Sequence, residues 1–289
     1  MMRFAPKVTA RTAAFSTLFV AGLLVVTCFN GVVKSHAANS RTDAGRAPAF
    51  AAGATALLLG PVQVDRTDDN AGAAACTAAP NDCSLRGAVI FANANPGTII
   101  NVPAGTYQLT IAGNGEQLAA TGDLDIRASG TSIVGAGAAT TIIQQTTNDR
   151  VIESNPVPQA VGFVLNISGV TIKGGNLPTG SGGGMVAGGN GATTTITNCI
   201  FDSNRTTGTV AANGGAITDS SATGADTLII TDSTFTNNTT ATGTGGAIRL
   251  SSPGGGTPGT LTIQRTLFQN NRALTNSGGA INATITNSN

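Results

Sequence analysis

The second half of the chain repeats one pattern three times. Phe201-Asp-Ser-Asn204, Phe235-Thr-Asn-Asn238 and Phe268-Gln-Asn-Asn271 share a Phe-x-x-Asn word. Each is followed by Gly-Gly-Ala-Ile, ending at Ile217, Ile248 and Ile281. The phenylalanines recur after 34 and 33 residues, and the Gly-Gly-Ala-Ile segments after 31 and 33. A fixed period of this length commits a chain to stacked units, because one unit cannot bury its apolar face alone.

The units do not read as helices. Thr, Gly and β-branched residues dominate them, and all are poor helix formers. Leu228 and Ile230, and likewise Leu261 and Ile263, sit two apart and so point to one side of a strand. About thirty residues holding two or three short strands match one coil of a solenoid. The expected fold class is therefore all-β: a right-handed parallel β-helix behind a short N-terminal capping helix. Seven coils at a strand spacing of about 4.8 Å would give a core of roughly 34 Å. Degenerate earlier units continue the scheme through Ile167, Ile172 and Gly183-Gly-Met185, and before them through Leu124, Ile126 and Ile133.

Each repeated residue has a place in that geometry. Phe201, Phe235 and Phe268 are expected to stack inside as a ladder. Asn204, Asn238 and Asn271 fall where the chain turns, and their amides are expected to bond from coil to coil. Gly-Gly-Ala gives positive φ at the next corner and room for close backbone packing.

The N-terminal region reads differently. Arg3, Lys7 and Arg11 precede an apolar run from Ala13 to Val26, and small residues follow at Ser35, Ala37 and Ala38. That order predicts a secretory signal peptide over 1–37, with cleavage near Ala37. A retained anchor is the alternative, because Ala13 to Val33 is long enough to span a bilayer. Either way the remainder leaves the cytosol, to be secreted or held at the cell surface. An Ala-rich linker over 38–60 precedes a cap with the first strands over 61–111, and the β-helix fills 112–289. In an exported chain, Cys76 and Cys83 are expected to form a disulfide. Cys199 reads as a small buried hydrophobe. Ser84 is a good N-cap, Leu85, Ala88, Val89 and Ala92 lie on one helical face, and Asn95-Pro96-Gly97 ends the helix.

Two resemblances follow from these words. Cys83-Ser-Leu-Arg-Gly-Ala88 with Ala92-Asn93, Cys76 and Asp68-Asp69 resembles the N-terminal Cys-Ser-Leu-Arg-Glu-Ala domain of bacterial exported repeat proteins. Gly87 stands where that family has Glu, which loses a capping box and implies a softer cap. The Phe-x-x-Asn and Gly-Gly-Ala-Ile words resemble the repeats of polymorphic outer-membrane proteins. That resemblance implies a surface-displayed bacterial β-helix associated with adhesion, and an outer-membrane setting.

Little in the sequence points to catalysis. Charged residues make up only 10%, and from Pro61 onward nine basic residues face thirteen acidic ones. No basic patch is interleaved with aromatics, so nucleic acid is not an expected partner. The single histidine, His36, lies in the signal, so no Ser-His-Asp or Cys-His set is available. Asp202, Asp219, Asp226 and Asp232 read as solvated turn residues, and Asp68-Asp69 as a turn. Lys173 and Arg205 have no acidic cluster beside them except Asp202. Asp123 and Asp125, flanking Leu124, form the best carboxylate pair, for which Ca²⁺ binding or acid/base work is the functional reading. No catalytic residue, cofactor or firm metal site is expected.

These observations predict a non-enzymatic, exported, surface-associated protein acting in binding, adhesion or display. Its partners would be an extracellular glycan or protein surface, met through the coil faces and the segments Ser181–Asn190 and Ser251–Gly259. Membrane contact would come only through the signal segment or a missing C-terminal part. The last unit starts at Ile281 and stops at Asn289, which reads as a truncated chain, a missing partner or a gene fragment. The alternatives are a polysaccharide-active β-helix enzyme with its site in a missing part, and a structural spacer.

Overall fold

The computed structural model describes residues 60–210, 212–219, 226–251 and 259–284, together with the backbone of Val25–Phe29 and Val32–His36. The chain divides into two units, Met1–Ala56 and Leu57–Asn289. In the first unit, Val25–Phe29 and Val32–His36 pair antiparallel. The expected cleavage point and most of the linker lie outside the described residues. No helix among the described residues is long and apolar enough to cross a membrane.

The second unit is a right-handed parallel β-helix with one helix at its head. Its strands form four sheets. The first holds Val62–Gln63, Ile99–Val102, Thr131–Gly135, Val164–Ser168, Thr193–Thr197, Thr227–Thr231 and Thr260–Gln264. The second runs from Gly105–Leu109 through Thr141–Gln145, Thr171–Lys173, Ile200–Asp202 and Thr234–Thr236 to Leu267–Gln269. A narrow third sheet stacks Asn176–Leu177, Arg205–Thr206, Thr239–Thr240 and Arg272–Ala273. The fourth runs from Leu124–Ile126 through Ile152–Ser154, Met185–Ala187, Ile217–Asp219 and Ile248–Ser251 to Ile281–Thr284. Among the described residues six rungs stack, not seven. The seventh strand of the first sheet is Val62–Gln63, which the cap lends to the first rung by pairing with Ile100 and Asn101.

Like residues lie over like. Phe201, Phe235 and Phe268 are in register, with ring centroids 4.8 and 5.0 Å apart and planes within 5° and 12° of parallel. Below them the same column continues through Ile172, Ile143 and Tyr107. The rings therefore adopt the spacing that the backbone ladder imposes. The asparagines bond as expected. Asn204 N–H and Nδ2 donate to Asn238 Oδ1 at 3.0 and 3.1 Å. Asn238 N–H and Nδ2 donate to Asn271 Oδ1 at 3.1 and 2.9 Å. Each Nδ2 also reaches back one rung, to the carbonyls of Ile172, Phe201 and Phe235. In the Gly-Gly-Ala corner the first glycine carries positive φ (+61° at Gly214), and the second lets rungs touch. A Cβ on Gly215 would sit 2.2 Å from the Gly246 carbonyl oxygen.

Helix α1 (Leu85–Ala94) starts where Ser84, in an extended conformation, accepts the Gly87 N–H at 2.9 Å. It buries Leu85, Ala88, Val89 and Ala92 over the open end of the first rung. Gly87 proves to be a packing requirement and no simple softening: a Cβ there would lie 1.8 Å from the Ala73 carbonyl oxygen. Cys76 and Cys83 form the expected disulfide, tying the loop that leads into the helix. Asp69 is more than a turn residue. Its side chain is fully buried against that of Arg86, whose Nε lies 2.5 Å from Asp69 Oδ1. Arg86 also donates to the carbonyls of Ala119, Gly122 and Asp123 at 3.0, 2.7 and 3.1 Å. Asp69 Oδ2 in turn accepts the N–H groups of Thr110 and Ile111. One buried ion pair, with its lone pairs and protons satisfied, thus clamps the cap to the first rung.

Candidate functional site: a roofed acidic cluster on the fourth sheet

Strands of the fourth sheet alternate between core and outside. Leu124, Ile152, Met185, Ile217, Ile248 and Ile281 form the inward column. One residue later the outward column reads Asp125, Glu153, Val186, Thr218, Arg249 and Asn282, in register. At its N-terminal end this column is acidic. Asp125 lies directly beside Glu153, and Asp123 enters the same strand from its start. One ligand atom from each of Asp123, Asp125 and Glu153 can be chosen so that all lie within 4.8 Å of one another.

The connection from Thr110 to Asp123 folds over this end as a roof. The Ala119 N–H donates to Asp125 Oδ2 at 2.9 Å, and Glu116 holds the turn by accepting from Leu118 and Thr121. Under the roof Asp125 is 0% exposed and Asp123 3%. Arg150 lines the rim. Its Nη1 donates to Glu153 Oε2 at 2.8 Å, and its Nε lies 3.4 Å from Asp123 Oδ2. No hydrogen bond reaches Asp125 Oδ1. Burial raises all three neighbouring aspartates. Desolvation lifts Asp123 well above the usual carboxylate range, with Arg150 opposing it. Asp125 is pushed up to about 7, chiefly by desolvation and against the Ala119 hydrogen bond. Asp149 is raised for the same reason. Each carbon–oxygen group is penalised for ionising where water cannot reach it.

Beyond the roof the column opens into a cleft of about 390 Å³ lined by Arg150, Glu153, Val186, Thr218, Asp219 and Arg249. Arg249 donates from Nη1 to the Leu250 carbonyl and to Asn282 Oδ1. Chemically, the cluster can hold a proton or a cation between carboxylates. Only Glu153 and Arg150 of the cluster also face the cleft.

Asp123 and Asp125 are thus brought together as the sequence suggests, but Glu153, Asp149 and Arg150 complete the group and were not anticipated. A signal existed. If Ile152 is set over Leu124, Glu153 falls over Asp125, and Asp149-Arg150-x-x-Glu153 becomes a charged word at that corner. Other expectations need correction. Asp226 is buried and accepts the N–H groups of Gly189, Gly191 and Ala192, so it is a loop clamp and not a solvated residue. Asp219 is also buried. Asp202 pairs with Lys173 across 3.4 Å, and Asp232 with Arg265 at the surface. The segment Ser181–Asn190 is no display loop. Gly182 to Gly189 is buried, and Met185–Ala187 is a rung strand. Most of Ser251–Gly259 lies outside the described residues. Cys199 is buried at the corner between the first and second sheets, and burial pushes its thiol up to about 11.

No family model matches the chain, and no curated protein matches it. Among solved structures it is similar to one titled "Geobacillus virus E2 - ORF18", at 18% identity and a TM-score of 0.32. The matched part covers 60% of this chain and 34% of that one, so the chain spans about a third of that protein's length.

Proposed function

We propose that the protein is an exported, surface-associated β-helix that binds an extracellular glycan or protein surface and has no catalytic role of its own. The observation that carries this reading is the fourth-sheet cleft. It presents Arg150, Glu153, Val186, Thr218, Asp219 and Arg249 from four successive rungs of one sheet. Donors and acceptors spaced by a strand ladder suit an extended polar ligand, and a rigid scaffold loses little entropy on binding. The signal-like N-terminus and the resemblance to surface-displayed repeats support an extracellular setting, bacterial and with the outer membrane as the favoured location.

The roof argues against hydrolysis. A glycosidase needs two carboxylates that flank a substrate bond, about 5 Å or more apart. Here Asp123 and Asp125 are sealed beneath the 110–123 connection, where no sugar ring reaches them. The test is a glycan and matrix-protein array probed with the purified protein and with Arg150→Ala and Arg249→Ala variants. Binding that weakens in both variants is the expected result. Reproducible cleavage of any polysaccharide would overturn the reading in favour of an enzyme. Silence across the array would favour a structural spacer.

A further inference from the structure

We propose that Asp123, Asp125 and Glu153 bind one divalent cation of the calcium type, which locks the roof onto the fourth sheet and ties the first rung to the second. Three observations carry this. The first is the donor set. Three carboxylate oxygens within 4.8 Å of one another fit around a Ca²⁺ with bonds of about 2.3–2.6 Å, whereas Mg²⁺ at about 2.0–2.1 Å asks for a tighter group. The second is a vacancy in bonding. Asp125 is fully buried, its Oδ2 is held by Ala119, and its Oδ1 has no hydrogen-bond partner. A sealed carboxylate oxygen without a donor costs free energy that a cation would recover.

The third is charge balance. Asp123, Asp125, Asp149 and Glu153 converge on a corner where Arg150 is the neighbouring cation, and Arg150 reaches Asp123 and Glu153 and not Asp125. One arginine faces four carboxyl groups, and a doubly charged ion would take the place of the protons that burial favours on the three aspartates. Glu153 is 18% exposed on its side chain and stands at the cleft, which gives the ion a way in and water molecules to complete its shell. The ladder fixes the donors beforehand, because Asp125 and Glu153 are register partners on adjacent strands. Cation binding shares Glu153 with the cleft, but it is read out by Ca²⁺ heat and unfolding with no glycan or protein ligand present, so either reading can fail without the other.

The experiment uses the full protein freed of metal with EDTA and titrated calorimetrically with CaCl₂ or MgCl₂ alone. Thermal unfolding is followed in parallel. One Ca²⁺ per chain, a midpoint raised by Ca²⁺ and lowered again by EDTA, and weaker binding of Mg²⁺ are expected. Asp125→Asn should weaken Ca²⁺ at least about tenfold. Glu153→Gln, at the rim and harmless to the buried interior, should do the same and keeps the test sound if the first variant misfolds. Asp232→Asn, far along the rod, should bind as the parent does. A folded parent whose heat and melting curves ignore millimolar Ca²⁺, or a Glu153→Gln variant that binds unchanged, would overturn the site.

Discussion

The first two rungs and the rungs from Thr193 onward share a backbone and differ in what holds them. In the later rungs identical residues stack and satisfy one another: phenylalanine on phenylalanine, asparagine on asparagine, glycine under glycine. The Asn238 and Asn271 oxygens each take two donors from the rung before, and the Asn204 oxygen takes the Gly175 N–H, so the ladder satisfies its buried amides. The early rungs use unlike groups. Arg86 and Asp69 neutralise each other under the cap, and four carboxylates crowd one corner around Arg150. Repetition is a device for cheap stability, because one solved contact is copied. The place where copying stops is where buried polar groups are left over, and left-over polar groups are where chemistry is to be sought.

This contrast can be broken from either side. The largest effect should come from Arg86→Met, which strands the buried Asp69 carboxylate and should cost about 3–5 kcal/mol in urea unfolding. Next, with the opposite sign, comes Asp125→Asn in EDTA. Asp125 titrates near 7 in the folded protein, above its unfolded value, so the folded state holds the extra proton between. Stability from this group is full below about pH 4 and is lost as pH rises through about 7. The parent should therefore weaken from pH 5 to pH 8 more steeply than the variant, which keeps the raised Asp123 and Asp149, and at pH 8 the variant should be the more stable by about 2–4 kcal/mol.

Asn238→Ala should cost about 1–3 kcal/mol, because Asn204 N–H and Nδ2 both lose the oxygen they share. Gly87→Glu should also destabilise, by about 1–3 kcal/mol, although the helix would gain a capping box in the abstract. The Ala73 carbonyl occupies the space its Cβ needs. At the bottom of the scale, Asp232→Asn removes a surface pair with Arg265 and should leave the urea midpoint unchanged.

How far the sequence carries depends on the same contrast. Phe201, Asn204 and Ile217 announce their places because the period repeats them, but the sequence suggested two or three strands per coil where four sheets form, the narrow third sheet having only two-residue strands. Helix α1 was legible from Ser84 and from its apolar face, yet Arg86 was not, since its partner lies 17 residues away in no period. Glu153 escaped because the second rung is short: only 28 residues separate it from Asp125, against 33 or 34 between the phenylalanines. Gly182 to Gly184 looked like a loop, as glycine runs do. They serve close approach instead, with a Cβ on Gly183 falling 2.4 Å from the Arg205 carbonyl oxygen. A single sequence shows that a glycine is present and not which backbone presses on it.

Whether rungs stack in register is open to direct test by NMR on a phenylalanine-labelled sample, with the rings assigned by single Phe→Leu variants. The ring protons of Phe235 should show nuclear Overhauser contacts to both Phe201 and Phe268, which are 34 and 33 residues away in sequence, and none should join Phe201 to Phe268. A folded protein in which Phe235 contacts neither ring would contradict the stacked-rung architecture from which everything else is argued.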